Sequence, residues 1–536
     1  MEKNLFLGAE AIAQGAIDAG LSGIYAYPGT PSTEITEYVQ KSKLATERNI
    51  HSRWSANEKT AMESGLGMSY AGKRAMVCMK HVGLNVAADA FINSSITGAN
   101  GGLIVVAADD PSMHSSQNEQ DSRFYGNFAM IPIFEPTNQQ EAYDMAYEGF
   151  EFSEKYKIPI LLRITTRLAH SRAGVSRKPL INQNGIKLPE NLIQFVLLPA
   201  NARKQYKTLL GNQKYFEEES EKSKYNIYFD GKDKSTGIIA CGIAFNYLLE
   251  NYNGAKCENP ILKISQYPLP RKKVEQIINE CKRIIVLEDG YPLVEESIKG
   301  YLGKCLNISG RLDGTIPRDG ELNPNIVGKA IGKQAAEILQ MPSIVSPRPP
   351  SLCSGCPHVD SFNALNETLK IYGKGKVFSD IGCYTLAALP PYQSINSCVD
   401  MGASITMAKG AADAGLRPSI AVIGDSTFTH SGITGLLDAV NDNSPITVLI
   451  LDNETTGMTG GQDSAATGRI EDICAGVGVD PEHIKIINPL RKYDKENVEI
   501  YKKEFEYKGV SVIIPRRECI QTIGKHKNEK RIKETV

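Results

Sequence analysis

The sequence lacks an excess of either charge: 60 Lys and Arg stand against 61 Asp and Glu over 536 residues, a formal net charge of −1. Nucleic acids and anionic membranes are usually met by a basic excess or patch, so this balance points away from both, toward a small-molecule or protein partner. Also missing is any run of about 18 uncharged apolar residues, the pattern of a membrane-spanning helix. The N-terminal MEKNLFLGAEAIAQG has acids and a glutamine where a signal peptide needs an apolar core, which predicts a cytoplasmic protein. Stable disulfides are scarce in that compartment, so the eleven cysteines read as thiols, metal or cluster ligands, or core residues. There is no short-period repeat. At this length a single core is excluded, and two to four domains of about 100–200 residues are expected.

What is present is alternation. Short apolar runs ending in Gly, Asp or Asn, such as SGIYAYPG (22–29), RAMVCMK (74–80), LIVVAADD (103–110) and PILLRI (159–164), alternate with helical patterns. This predicts an α/β fold of multiple doubly wound, parallel-sheet domains with both sheet faces covered. Residues 1–185 make the first domain. Residues 186–235, dense in Lys, Glu and Asn, read as a helical or loose connector. A smaller α/β unit covers 236–330, and 331–351, with MPSIVSPRPPS, reads as a linker. The last domain, 352–520, has strands at VFSDIG, SIAVIGD, TVLILDN and VSVIIP; residues 521–536 form a charged, frayed tail.

In such a sheet, loops at the carboxyl ends of neighbouring strands converge on one crevice. SIAVIGD delivers Asp425 there and TVLILDN delivers Asn453, one strand–helix–strand unit later. Carboxylate and amide oxygens suit Mg²⁺, whose other positions are often filled by diphosphate and water. Gly424 and Ser426 permit close phosphate approach at a helix N-terminus. This is the spacing of the thiamine diphosphate motif; the bland alternative is a capped helix and a turn. Thiamine enzymes also need a glutamate to protonate the aminopyrimidine. Glu58, at the head of a helix in SRWSANEKTAMESGLG, fits that role, or is an ordinary first-turn acid.

The stretches YPGTPSTEI (27–35), NEKTAMESGLG (57–67), KHVGLNVAADA (80–90), DDPSMHSSQNEQDSR (109–123), CSGCPH (353–358), DIGCYTL (380–386) and GDSTFTHSGITGLLDAVNDN (424–443) occur in one order. Together they resemble the alpha subunit of the indolepyruvate ferredoxin oxidoreductases, in the 2-oxoacid:ferredoxin oxidoreductase superfamily. The resemblance spans 27–457, and GVSVIIPRREC extends it to 519. It implies a thiamine diphosphate-binding fold, with 1–185 binding the pyrimidine, 236–330 resembling the transketolase C-terminal domain, and 352–520 binding the diphosphate. It implies oxidative decarboxylation of an aryl 2-oxoacid, with coenzyme A taking the acyl group and ferredoxin the electrons. A small beta subunit and a homodimeric core are the implied partners. Asp425, Asn453 and Thr455 would hold Mg²⁺, and Gly424 and Ser426 the diphosphate. Thr30 matches a superfamily position facing substrate and cofactor; its other role is N-cap before Pro31.

By the same resemblance, Cys353, Cys356, Cys383 and Cys519 would bind one [4Fe-4S] cluster, with Cys398 and Cys474 as substitutes for Cys519. A lone CxxC is equally compatible with zinc or no metal. Cys78, Cys241 and Cys281 lie in or beside apolar runs and read as core thiols. The family's alpha subunit continues into a ferredoxin-like domain with two CxxCxxCxxxC runs. None follows Cys519 here, so electrons are expected to leave to a separate ferredoxin or another subunit. Of His81, His114, His358 and His430, His81 ranks first as a proton shuttle, because KHVGLN follows a strand that should border the cofactor. Arg123 is a candidate for the substrate carboxylate, or part of an ordinary surface ion pair. Two further readings stay open: a non-oxidative thiamine-dependent decarboxylase or carboligase, and a catalytically silent scaffold.

Overall fold

The computed structural model describes residues 3–252, 256–300, 307–333, 341–346 and 350–523. The expected tail past 523 and parts of the 331–351 linker lie outside them. The chain separates into two compact units, Met1–Leu339 and Gln340–Val536.

The first unit is built on a seven-stranded sheet, in spatial order Gln266–Tyr267, Ile133–Phe134, Ile160–Thr165, Leu103–Asp109, Ala75–Lys80, Gly23–Ala26 and His51–Trp54. All neighbours are parallel except the Gln266–Tyr267 edge. Every residue of Ala75–Lys80 and Leu103–Asp109 is buried, as expected of central strands covered on both faces. Successive side chains point to opposite faces. Met76 and Cys78 pack with the helix Gly8–Asp18, and Val77 and Met79 with the helix Glu58–Tyr70.

A second sheet in this unit, in order Ile308–Ser309, Ile284–Leu287, Gly237–Cys241, Ile261–Ile264 and Ile227–Phe229, is parallel apart from its last strand. The expected separate domain at 236–330 is thus part of a larger unit, and the reason is physical. Its chain lends Gln266–Tyr267 to the edge of the first sheet, and the carboxyl ends of both sheets share the buried charges described below. The expected connector is a 24-residue helix, Pro199–Lys222, followed by the strand Ile227–Phe229, which belongs to the second sheet.

The second unit holds five parallel strands in order Val377–Ser379, Ile420–Gly424, Thr447–Leu451, Ser511–Pro515 and Ile484–Ile487. Val448 and Ile450 face one core, Leu449 and Leu451 the other. This order sets side by side the carboxyl ends that precede Cys383, Asp425, Asn453 and Cys519. Among the described residues no helix is long and apolar enough to cross a membrane.

Candidate active site

In the second unit, Ile420–Gly424 runs directly into a helical segment from Asp425, through a π-helical turn at Phe428–Gly432, to Asn441. Single π-turns in helices recur at functional sites. Asp425 is buried, and its Oδ2 has no hydrogen-bond partner among the described residues. Burial, with the charge of Asp452 nearby, pushes its carboxyl up to about 7. A carboxylate so placed calls for a cation.

Asn453 supplies the complement. Its amide oxygen stands 3.1 Å from Asp425 Oδ1 and 2.9 Å from the Thr455 carbonyl oxygen. Oxygens at such spacing repel unless a cation joins them or the Asn453 amide turns over so that its nitrogen donates to both. An octahedral Mg²⁺ with ligands at about 2.1 Å would separate adjacent oxygens by about 3.0 Å, whereas the longer bonds of Ca²⁺ would need wider spacing. The donor set therefore fits Mg²⁺, with Thr455 contributing its carbonyl; the Thr455 hydroxyl donates to the Gln462 carbonyl at 3.0 Å. Ser426 accepts from Thr456 Oγ1 at 2.9 Å. Gly424 has a reason unrelated to phosphate: a Cβ there would stand 2.6 Å from Tyr384 Cε1. Tyr384 in turn donates to Asp380, which also accepts from Ser404 Oγ at 2.5 Å; burial pushes Asp380 up to about 7. Sequence reasoning missed this pair, whose residue types carry no signal of their contact.

Cys353 is exposed, Cys356 and Cys519 are buried and Cys383 is partly buried. Burial raises the Cys356 thiol, with added effect from Cys353 and Cys519; burial and the charges of the other three push Cys383 up to about 12. The four thiols are thus electrostatic neighbours. As they stand, no group of three or more His, Cys, Asp or Glu side chains among the described residues is set to hold a metal ion. The substitutes are elsewhere: Cys474 is fully buried in a core, and the Cys398 thiol lies 3.7 Å from the Asp380 carbonyl. The backbone N–H of Cys519 donates to the Asn453 carbonyl at 3.1 Å, tying the thiol loop to the amide loop.

In the first unit, the helix Glu58–Tyr70 starts at a strong cap, Asn57 accepting from Thr60 N at 2.8 Å. Glu58 is buried, and a Cβ on Gly83 would lie 2.5 Å from its Oε1, so the absent side chain at 83 makes room for the carboxylate. His81 begins a helix, His81–Val86, directly after the strand Ala75–Lys80. Its Nε2 lies 3.3 Å from the Asn118 carbonyl and its Nδ1 is buried without a partner. Lys80, which sequence reasoning passed over, is buried beside Gly29; burial depresses its ammonium to about 8, and it donates to the Ser115 carbonyl at 2.7 Å.

Thr30 is half-buried but is not the expected N-cap. The helix begins at Thr33, whose hydroxyl accepts from Gly29 N at 2.9 Å, and Ser32 occupies the cap position. Arg123 is neither on the surface nor available to substrate. It is fully buried, paired with Asp121 at 2.5 Å and Glu288 at 3.1 Å, and donates to the Tyr291 carbonyl at 2.8 Å. Arg163 joins the same network through Asp109 at 2.6 Å. The other histidines differ: His114 is exposed and pairs with Glu321 at 3.2 Å, His430 is buried against the Ser431 hydroxyl at 2.7 Å, and His358 is buried beside Asn453. Cys78 and Cys241 are fully buried core thiols, and Cys281 is partly buried.

Two family models match the chain. "Pyruvate flavodoxin/ferredoxin oxidoreductase, thiamine diP-bdg" covers residues 14–194, and "Thiamine pyrophosphate enzyme, C-terminal TPP binding domain" covers 380–513. The fold also resembles a solved 2-oxoglutarate:ferredoxin oxidoreductase from Magnetococcus marinus, at TM-score 0.51 and 16% identity over 62% of this chain and 65% of that one. Sheet order, paired Asp425 and Asn453, and these matches define a thiamine diphosphate-dependent 2-oxoacid:ferredoxin oxidoreductase, an enzyme of oxidative 2-oxoacid decarboxylation. Indolepyruvate oxidoreductase subunit IorA from Archaeoglobus fulgidus is 39% identical over 97% of this chain and 86% of its own length. Its counterpart from Methanothermobacter thermautotrophicus is 37% identical over 98% and 88%. The chain belongs to this indolepyruvate oxidoreductase alpha-subunit family.

Proposed function

We propose that this chain oxidatively decarboxylates aryl 2-oxoacids of the indolepyruvate and phenylpyruvate type. The products are acyl-CoA, CO₂ and electrons, which pass through one [4Fe-4S] cluster to ferredoxin or another carrier protein. The observation that carries this reading is the oxygen triad of Asp425, Asn453 and Thr455 beside the unpaired Asp425 Oδ2. Thiamine diphosphate, when bound, supplies the carbon nucleophile and the electron sink for loss of CO₂.

The chain's own residues bind, orient and move protons. Asp425 Oδ, Asn453 Oδ1 and the Thr455 carbonyl hold Mg²⁺, and Ser426 and the helix N-terminus starting at Asp425 receive the diphosphate. Glu58 holds a proton for the aminopyrimidine nitrogen; its burial and the room left by Gly83 support that role. Lys80, in place of Arg123, brings positive charge to the Thr30 corner and meets the substrate carboxylate there. His81, with its free Nδ1, serves as the proton shuttle. Cys353, Cys356, Cys383 and Cys519 bind the cluster, Cys353 being its exposed edge. The working form is a cytoplasmic homodimer with a small beta subunit.

Glu58→Gln tests the core of this reading. Turnover of indolepyruvate should fall by at least 10²-fold while thiamine diphosphate still binds. Unchanged turnover would overturn the assignment. Absence of iron in anaerobically isolated protein, with CO₂ still released, would favour the non-oxidative decarboxylase.

A further inference from the structure

Asn453 Nδ2 faces His358 Nε2 at 3.3 Å. His358 lies in the first turn of the helix Pro357–Tyr372, is 3% exposed, and presents its ring edge-on to Tyr384, with centroids 6.1 Å apart at 89°. A planar amide in this slot has two orientations that exchange oxygen and nitrogen. With the oxygen toward Asp425 Oδ1 and the Thr455 carbonyl, the site can take a cation, and His358 Nε2 must be a bare acceptor. Turned over, the amide nitrogen donates to those two oxygens, at 3.1 and 2.9 Å. The amide oxygen then faces His358 Nε2, which must carry the hydrogen. The ring's tautomer and the amide's orientation are therefore linked.

We infer that His358 is a positioning residue for the metal site: its Nε2 accepts from Asn453 Nδ2 and holds the amide oxygen toward the cation. This rests on the Mg²⁺ reading above. Outer partners that orient a ligand commonly change metal affinity by about 10- to 100-fold when removed. His358→Leu keeps bulk but removes the acceptor; His358→Gln can return one through Oε1.

The test is titration of Mn²⁺, a paramagnetic stand-in for Mg²⁺, into full-length protein saturated with thiamine diphosphate, read by electron paramagnetic resonance. His358→Leu should weaken Mn²⁺ at least tenfold and His358→Gln by less than about threefold. Wild-type affinity in His358→Leu would overturn the inference. Failure of the wild type to bind Mn²⁺ would instead sink the metal reading on which it rests. Should His358→Leu not fold, ¹⁵N spectra of the wild-type imidazole decide. Nε2 should change from protonated to bare when Mg²⁺ and thiamine diphosphate are added, and a proton retained on Nε2 would overturn the inference.

Discussion

Replacing Arg123 with Met distinguishes a buried structural charge from a substrate ligand. The guanidinium is fully buried, paired with Asp121 and Glu288 and hydrogen-bonded to Tyr267 Oη at 3.2 Å and the Tyr291 carbonyl. Burial alone would raise the Asp121 carboxyl, yet Arg123 and Arg163 more than offset it and hold it at about 2. Glu288 is pushed up to about 7 by burial, even with Arg123 pulling it down. Met leaves Asp121 short of one cation and lets Glu288 take up a proton at neutral pH. Removing one member of a buried ion pair costs about 3–5 kcal/mol, because the partner's charge stays desolvated. The assay is urea unfolding at pH 7.5, with 2-oxoacid KM measured under conditions where the variant is folded. A loss of about 3–5 kcal/mol with unchanged KM is expected, and Asp121→Asn added to Arg123→Met should recover part of the loss. Wild-type stability with a KM raised tenfold would refute the structural role.

Three other perturbations follow the same logic. In Gly83→Ala the new Cβ would meet Glu58 Oε1 at 2.5 Å; kcat should drop at least tenfold while calorimetric thiamine diphosphate affinity stays within threefold. Lys80→Met should raise 2-oxoacid KM at least tenfold while stabilising the fold. Its ammonium is depressed to about 8, so the folded chain gives up that proton before the unfolded chain does. The cost, about 3 kcal/mol, is fully present below pH about 8 and fades toward the ordinary lysine range. The advantage of Met in pH-dependent thermal unfolding should fade over the same window. Gly424→Ala drives a methyl to 2.6 Å from the Tyr384 ring and should cost about 1–3 kcal/mol. Tyr384→Ala in that background should remove most of the clash.

The fold was legible where strands are continuous apolar runs: Leu103–Asp109 and Thr447–Leu451 are buried on both faces, and burial on both faces is what such a run encodes. Edge strands were not. His51–Trp54 alternates exposed and half-buried residues over four positions, and Ile133–Phe134 is only two residues long, too short for any periodicity to register. That Asp425 and Asn453 meet was legible, because a strand end, a glycine and a spacing jointly place them at the ends of neighbouring strands. Thr30 was misread as a cap because YPGTPST offers three hydroxyls in a row of turn positions, and the backbone chose Ser32 and Thr33. Arg123, Lys80 and His358 were opaque for a common reason. Their neighbours, Glu288, Gly29 and Asn453, are ones that only the assembled sheets bring near.

The central claim is that loss of CO₂ is coupled to electron transfer. The most direct test is an anaerobic assay of the chain with its small subunit, indolepyruvate and coenzyme A, counting reduced methyl viologen against CO₂. Two electrons per CO₂, with both products lost in Asp425→Ala, is the predicted result. CO₂ released at full rate with no viologen reduced would contradict the account.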